Sequence, residues 1–196
     1  MQKMDESKRR DIAAAAARRF AANPFHDVKL DHVAADAGVG KGTIYLYYRD
    51  KDDLYISVLC DAFESLVASL RERIAGSTAS ARAELRLLLG TLVRFAVANP
   101  ELFRLMRASP PEPGSRWAKK RDEMIELFES VIRRGVRLGE FHKTHPRLAA
   151  ACIPGMVRSV MLFGPEGLSE RTVLRHLTAL VERGLLAPGA GGATDA

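Results

Sequence analysis

Cysteine is nearly absent from this chain: Cys60 and Cys152 are its only two, far apart in segments of helical periodicity. A disulfide framework is thereby excluded, and both read as free thiols of a reducing compartment. Nothing beside either marks a low-pKa thiol, so neither is singled out as a redox switch. The signals of an enzyme are also missing. No glycine loop cradles a phosphate, and there is no nucleophile motif. His142 and His145 stand in a loop before Pro146, and Cys152 in an apolar segment expected to be buried; no carboxylate cluster completes a metal site. The expectation is a protein without catalysis, metal or cofactor.

The first residues, MQKMDESKRR, are polar and lead straight into a helix, so no secretory leader is expected. The most apolar segment, Leu148 to Phe163, is too short, and too interrupted by Pro154, Gly155 and Arg158, to be expected in a membrane. Together these point to the cytoplasm. What remains is a soluble composition, 47% hydrophobic and 28% charged over 196 residues, enough for one domain or two small ones. The net charge of +6 suits a polyanionic partner but does not locate it, because residues 1–50 carry a surplus of only two positive charges.

Location comes from Leu30 to Leu54, LDHVAADAGVGKGTIYLYYRDKDDL. Leu30, Val33, Ala34 and Ala37 mark one apolar face of a two-turn helix. Gly38 can take the left-handed conformation that ends it, Val39 can tuck beneath the turn, and Gly40 is a second permissive residue. The next helix is predicted from about Lys41 to Tyr48, with Ile44 and Tyr48 inward. Lys41, Gly42, Thr43, Tyr45, Leu46 and Tyr47 then lie on or beside its outward face. Lys41 and Lys51 offer ammonium groups, and Thr43, Tyr45 and Tyr47 offer hydroxyls, to phosphate oxygens. Gly42 lets the helix start come close to a base edge, and the Tyr45 ring can touch a thymine methyl in the major groove. Lys51 opens a further helix, where free N–H groups already favour an anion. An ordinary two-helix corner explains the glycines but not three tyrosines in four residues, mostly off the buried face.

The run Val33-Ala34 … Ala37-Gly38-Val39-Gly40-Lys41-Gly42-Thr43-Ile44-Tyr45-Leu46-Tyr47-Tyr48 … Lys51-Asp52-Asp53-Leu54 resembles the signature of the TetR family of bacterial transcriptional regulators. The resemblance implies that Thr43, Tyr45, Tyr47 and Lys51 touch DNA and that Tyr48 packs inward. Three positions depart from the family pattern: Pro24 stands for a frequent Gly, Lys29 for the usual Thr, and Gly40 for the usual Ser. Asp27 is therefore expected to cap the first helix of the motif, and Lys29 becomes an added phosphate contact.

Around this motif the periodicity predicts helices throughout, an all-α fold. The first helix has Asp5 or Ser7 as its cap, Ile12, Ala16 and Phe20 as its buried stripe, and Asn23-Pro24 as its stop; Lys8, Arg9 and Arg10 lie early enough to reach phosphates or simply to solvate the helix end. Residues 1–50 form a three-helix helix-turn-helix bundle too small to be very stable alone. Leu54, Tyr55, Val58, Leu59, Ala62, Phe63, Leu66, Val67 and Leu70 predict one helix from Lys51 to about Ile74, shared between this bundle and a helical domain over 51–187. A push on its far end would shift the DNA-reading part. After a loop over 76–80, a helix is predicted with an inward stripe from Leu85 to Ala96, closed by Asn99-Pro100. Further helices are predicted over Glu101 to Ala108, about Ser115 to Leu138, and Leu148 to Phe163, then a last one capped by Ser169 and ending near Gly184, with a flexible tail over 188–196.

Aromatic and methionine stripes are core by default, but Phe63, Phe95, Phe103, Met106, Trp117, Met124 and Phe128 also suit a pocket for an apolar small molecule. Arg158, the only charge between Leu148 and Pro165, and Arg121 are candidates for its polar contact, with an internal ion pair or solvent as the plainer uses. The resemblance implies such an effector pocket. The segment around Met156 and Val160 is apolar nearly all round, and Val173, Leu174, Leu177, Leu180 and Val181 form a stripe wider than one contact needs. Both suggest a homodimer joined by a four-helix bundle. The reading is a homodimeric regulator, a repressor released from a palindromic double-stranded DNA operator by a small, largely apolar effector. Its rival is a helical homodimer that binds a small molecule or a protein and is indifferent to DNA.

Overall fold

The computed structural model describes residues 5–100, 102–103 and 116–186. Among these residues there are eight helices and no strand: α1 (Glu6–Ala22), α2 (Leu30–Asp36), α3 (Lys41–Tyr47), α4 (Lys51–Ile74), α5 (Ala81–Ala98), α6 (Arg116–Arg137), α7 (Pro146–Phe163) and α8 (Glu170–Leu185). A single 3-10 turn, Phe25–Asp27, joins α1 to α2. The expected helix over 101–108 and the expected tail lie outside the described residues, except for Leu102 and Phe103, which are helical and buried. The chain divides into two compact units, residues 1–64 with 99–119 and residues 65–98 with 120–196, so the division falls inside α4.

In the first unit, local chemistry sets the helix ends. Asp5 caps α1, its carboxylate accepting from Ser7 N at 2.9 Å, and Asn23 stops the helix in an extended conformation ahead of Pro24. Asp27 does not cap α2: it stays in the 3-10 turn, and Lys29 occupies the cap position without a side-chain bond. The end of α2 follows expectation. Gly38 adopts φ +66°, Val39 N donates to Ala34 O at 3.0 Å and Gly38 N to Ala35 O at 3.2 Å, a Schellman turn. Gly40, by contrast, has φ −74°, open to any residue, and starts α3. Asp50 and Asp53 close the start of α4 reciprocally, Asp53 N donating to Asp50 Oδ1 at 2.8 Å and Arg49 N to Asp53 Oδ2 at 3.1 Å. Ile12, Phe20, Val33, Ile44, Tyr48 and Leu54 fill the space between. Arg19 ties α1 to α2 through Asp36, and Arg9 ties α1 to α4 through a two-pronged bond to Asp61 at 2.9 and 3.1 Å.

In the second unit α5, α7 and α8 pack on one another. Three glutamates tie α5 to its surroundings. Glu140 accepts from Ala81 N and Arg82 N, occupying the free donors at the start of α5. Glu84, buried, pairs with Arg134 of α6 at 2.6 Å. Glu182 of α8 receives Arg82 and Arg86 of α5 together. Gly135 on α6 leaves the slot that Phe141 fills, since a Cβ there would lie 2.2 Å from the ring. Phe141 and Leu186 form an isolated antiparallel bridge, so the loop after α6 is sewn to the end of α8.

Candidate nucleic-acid interface

Ile44 is fully buried and Tyr48 nearly so, as their spacing requires, and this fixes which side of α3 faces out. The outermost line of the helix is Gly42 and Leu46, one turn apart, and Leu46 is 68% exposed. Tyr45, 51% exposed, flanks it, while Thr43 and Tyr47 are half-buried at the sides. Gly42 has nothing within 4 Å of where a Cβ would stand, so the backbone there is open to close approach from outside. Leu46 is the member of this surface that sequence reasoning left off the contact list. Its signal was its position opposite Ile44, overlooked because a leucine offers phosphate nothing.

The polar groups differ in how far they are already engaged. The Lys41 ammonium reaches Asp31 at 2.9 Å, an exposed pair that raises the lysine pKa by hydrogen bonding and that water and salt weaken easily. Such a pair can open toward a phosphate. The Tyr47 phenol oxygen accepts from Asp5 N at 3.0 Å, which orients it and leaves its O–H free to donate outward. Lys29 is exposed at the start of α2. Lys51, expected to present its ammonium to DNA, has that group engaged within the chain. Its Nζ donates to Phe25 O at 2.8 Å, Val28 O at 3.2 Å and His26 O at 3.3 Å, and lies 4.4 Å from the centre of the Phe25 ring.

Phe25 in turn stacks on Phe20 with centroids 5.5 Å apart and meets Tyr55 edge-on at 5.2 Å. Burial of Tyr55 pushes its phenol pKa up to about 12, so it stays neutral and serves packing.

The residues named for an effector pocket fall in both units. In the first, Phe63 and Trp117 meet edge to face with centroids 5.9 Å apart, and Phe103 is buried; Met106 lies outside the described residues. In the second, Met124 and Phe128 are buried, Phe95 is half-buried, Arg121 is exposed and pairs with Asp122, and Arg158 is exposed. The apolar sequence around Arg158 is therefore not its spatial surroundings.

Of the residues named for a dimer interface, Val173, Leu177 and Val181 are buried within this chain and Met156, Val160 and Leu174 are half-covered, whereas Leu180 is 48% exposed. Only Ala150, Ile153 and Val157 of α7 are buried, leaving Leu148 and Phe163 exposed, and Cys152, expected inside, is also exposed. His145 caps α7, accepting from Leu148 N, and His142 sits against the Gly184 and Lys143 carbonyls.

Residues 12–58 match the family described as bacterial regulatory proteins, tetR family, and residues 78–185 match the tetracyclin repressor-like C-terminal domain. A fatty acid metabolism regulator protein from Bacillus subtilis (strain 168) is 24% identical over 160 residues, covering 79% of this chain and 82% of that protein. Among solved structures, transcriptional regulator FadR from Bacillus subtilis, in complex with stearoyl-CoA, superposes with a TM-score of 0.79 at 20% identity, covering 89% of this chain and 98% of that one. A tetR-family regulatory protein from Rhodococcus RHA1 gives 0.82 at 21% identity, covering 94% and 100%. The two matched regions settle the family: the chain belongs to the TetR family, as a DNA-binding transcriptional regulator.

Proposed function

We propose that this regulator acts in the bacterial cytoplasm as a homodimer on a palindromic operator and represses until a fatty acyl thioester releases it. The observation that carries the DNA half is α3 itself: an inward Ile44 and Tyr48 behind an open outward line of Gly42 and Leu46, flanked by Lys41, Thr43, Tyr45 and Tyr47. In this reading Lys29, Lys41, Thr43 and Tyr47 hold phosphates, while Gly42, Tyr45 and Leu46 meet base edges and thymine methyls. One short helix reads too little sequence, so a second copy about one duplex turn away completes the site.

The exposed apolar side of α7, with Leu148 and Phe163, and Leu180 on α8, supports dimerisation through these two helices. By length and composition α7 could also cross a membrane. In a DNA-binding regulator, burial against a second copy uses the same surface. The acyl thioester is suggested by the stearoyl-CoA of the FadR structure and by the name of the Bacillus subtilis relative. Within the second unit, the half-buried Phe95 and the buried Met124 and Phe128 suit its chain, and Arg121 or Arg158 its charged end.

Selection of bound duplexes from a random pool, followed by titration at several salt concentrations, tests the first half. A palindromic winner with a steep salt slope is expected; no enrichment would refute it. Acyl-CoA thioesters of increasing chain length, added to that complex, test the second half. Release by long chains and not by free coenzyme A is expected, and indifference to every chain length would refute the effector class.

A further inference from the structure

We propose that Lys51 is a positioning residue that clamps the Phe25–Val28 turn, and that the phosphate contact at this edge of the DNA interface belongs to Lys29. The inference rests on the DNA-binding reading of α3. A lysine ammonium has three N–H donors and no more. At Lys51 each meets one carbonyl, those of Phe25, His26 and Val28, and the Phe25 ring covers a further side at 4.4 Å. Lys51 is also the first residue of α4, where the helix dipole disfavours a cation. The three carbonyl oxygens supply the negative potential that offsets this. To reach a phosphate the ammonium must abandon all three, and the bonds to Phe25 and Val28 are partly buried, so those oxygens would lose a donor that water replaces poorly.

The clamp has a local consequence. Val28 immediately precedes Lys29, so the ammonium fixes the residue from which Lys29 departs. Lys29 has an extended backbone, an exposed side chain and no ion pair with any described residue. It stands free where Lys51 is engaged. Phe25 of the same turn also packs on Phe20 and Tyr55, so the backbone entering α2 is held by the ammonium and by this aromatic cluster together. The basic charge at this edge is then divided between two residues: one sets the backbone and the other meets the polyanion.

The test uses the full chain and the operator obtained by selection, with wild type, Lys29→Met, Lys51→Met and Lys51→Arg titrated over a range of salt. Each phosphate contact contributes about 0.9 to the slope of log affinity against log salt, so losing one per subunit lowers the slope of a dimer by about two. Lys29→Met is expected to do this with an unchanged melting temperature. Lys51→Met is expected to keep the wild-type slope, weaken binding roughly tenfold and lower the melting temperature of the free protein. Lys51→Arg, whose N–H groups can serve the same carbonyls, restores both.

A slope lowered by about two in Lys51→Met, or an unchanged slope in Lys29→Met, overturns the division. If Lys51→Met does not fold, the Lys29→Met slope decides alone. Failure of the wild type to bind any duplex removes the DNA reading instead. An unchanged melting temperature in Lys51→Met removes the clamp with or without DNA.

Discussion

Replacing Glu182 with glutamine removes the carboxylate that joins α5 to α8, and the structure sets both the size of the effect and its pH dependence. The side chain is 14% exposed, with Arg82 Nε and Nη2 at 3.0 and 3.1 Å and the Arg86 guanidinium on the same two oxygens. Partial burial pushes its pKa up, but the hydrogen bonds and charges of the two arginines outweigh this and hold it at about 2, against an ordinary 4.5. Because the folded pKa is the lower one, the carboxylate stabilises the fold fully above pH 4.5 and ceases to do so as pH falls through about 2. The difference of about 2.5 units corresponds to roughly 3 kcal/mol at pH 7 and to less than half of that at pH 3. Urea unfolding of wild type and Glu182→Gln, at matched protein concentration and ionic strength, should give a stability gap that is wide at pH 7 and clearly narrower at pH 3. A gap of the same size at both values would refute the reasoning, because the lost stability would then be packing and not charge.

Three further outcomes are expected. Gly135→Ala would drive a methyl into the Phe141 ring, with contacts of 2.2, 2.5 and 2.9 Å, and overpacking of this kind costs about 1–3 kcal/mol, read as a lowered melting temperature. Ile44→Ala, at a fully buried position, should cost about 2–5 kcal/mol of first-unit stability; full stability in urea would mean that the inward face of α3 is misassigned. Leu46→Ala should weaken binding to the selected operator, and replacing the contacted thymine by deoxyuridine should weaken it no further in that variant. Additive losses in that cycle would place Leu46 away from the methyl group.

Most helix ends were legible because they depend on residues adjacent in sequence. The aspartate at the start of α1, Asn23-Pro24 after it, Gly38 at the turn and the apolar repeat through α4 each act within a few residues, and each element appears where its pattern predicts. The phase of α3 was legible for the same reason, since Ile44 and Tyr48 leave one way to orient seven residues. Asp27 failed as a cap because the backbone between it and Leu30 forms a 3-10 turn and an extended pair, and no spacing rule foretold that.

The sequence by itself therefore determined the family, the all-α fold and which face of α3 turns inward, all from local pattern and motif spacing. Tertiary structure decided which charges are already engaged. Lys41 and Lys51 look equivalent as residues, yet one sits in an exposed pair with Asp31 and the other donates to three carbonyls more than twenty residues away in the chain. Arg158 is surrounded by apolar sequence and stands exposed, while the charged Glu182 is partly buried between two arginines from a distant helix. The physical reason is range. Helix capping and periodicity act over one or two turns, but the environment of a charge depends on groups that only folding brings within a few ångströms.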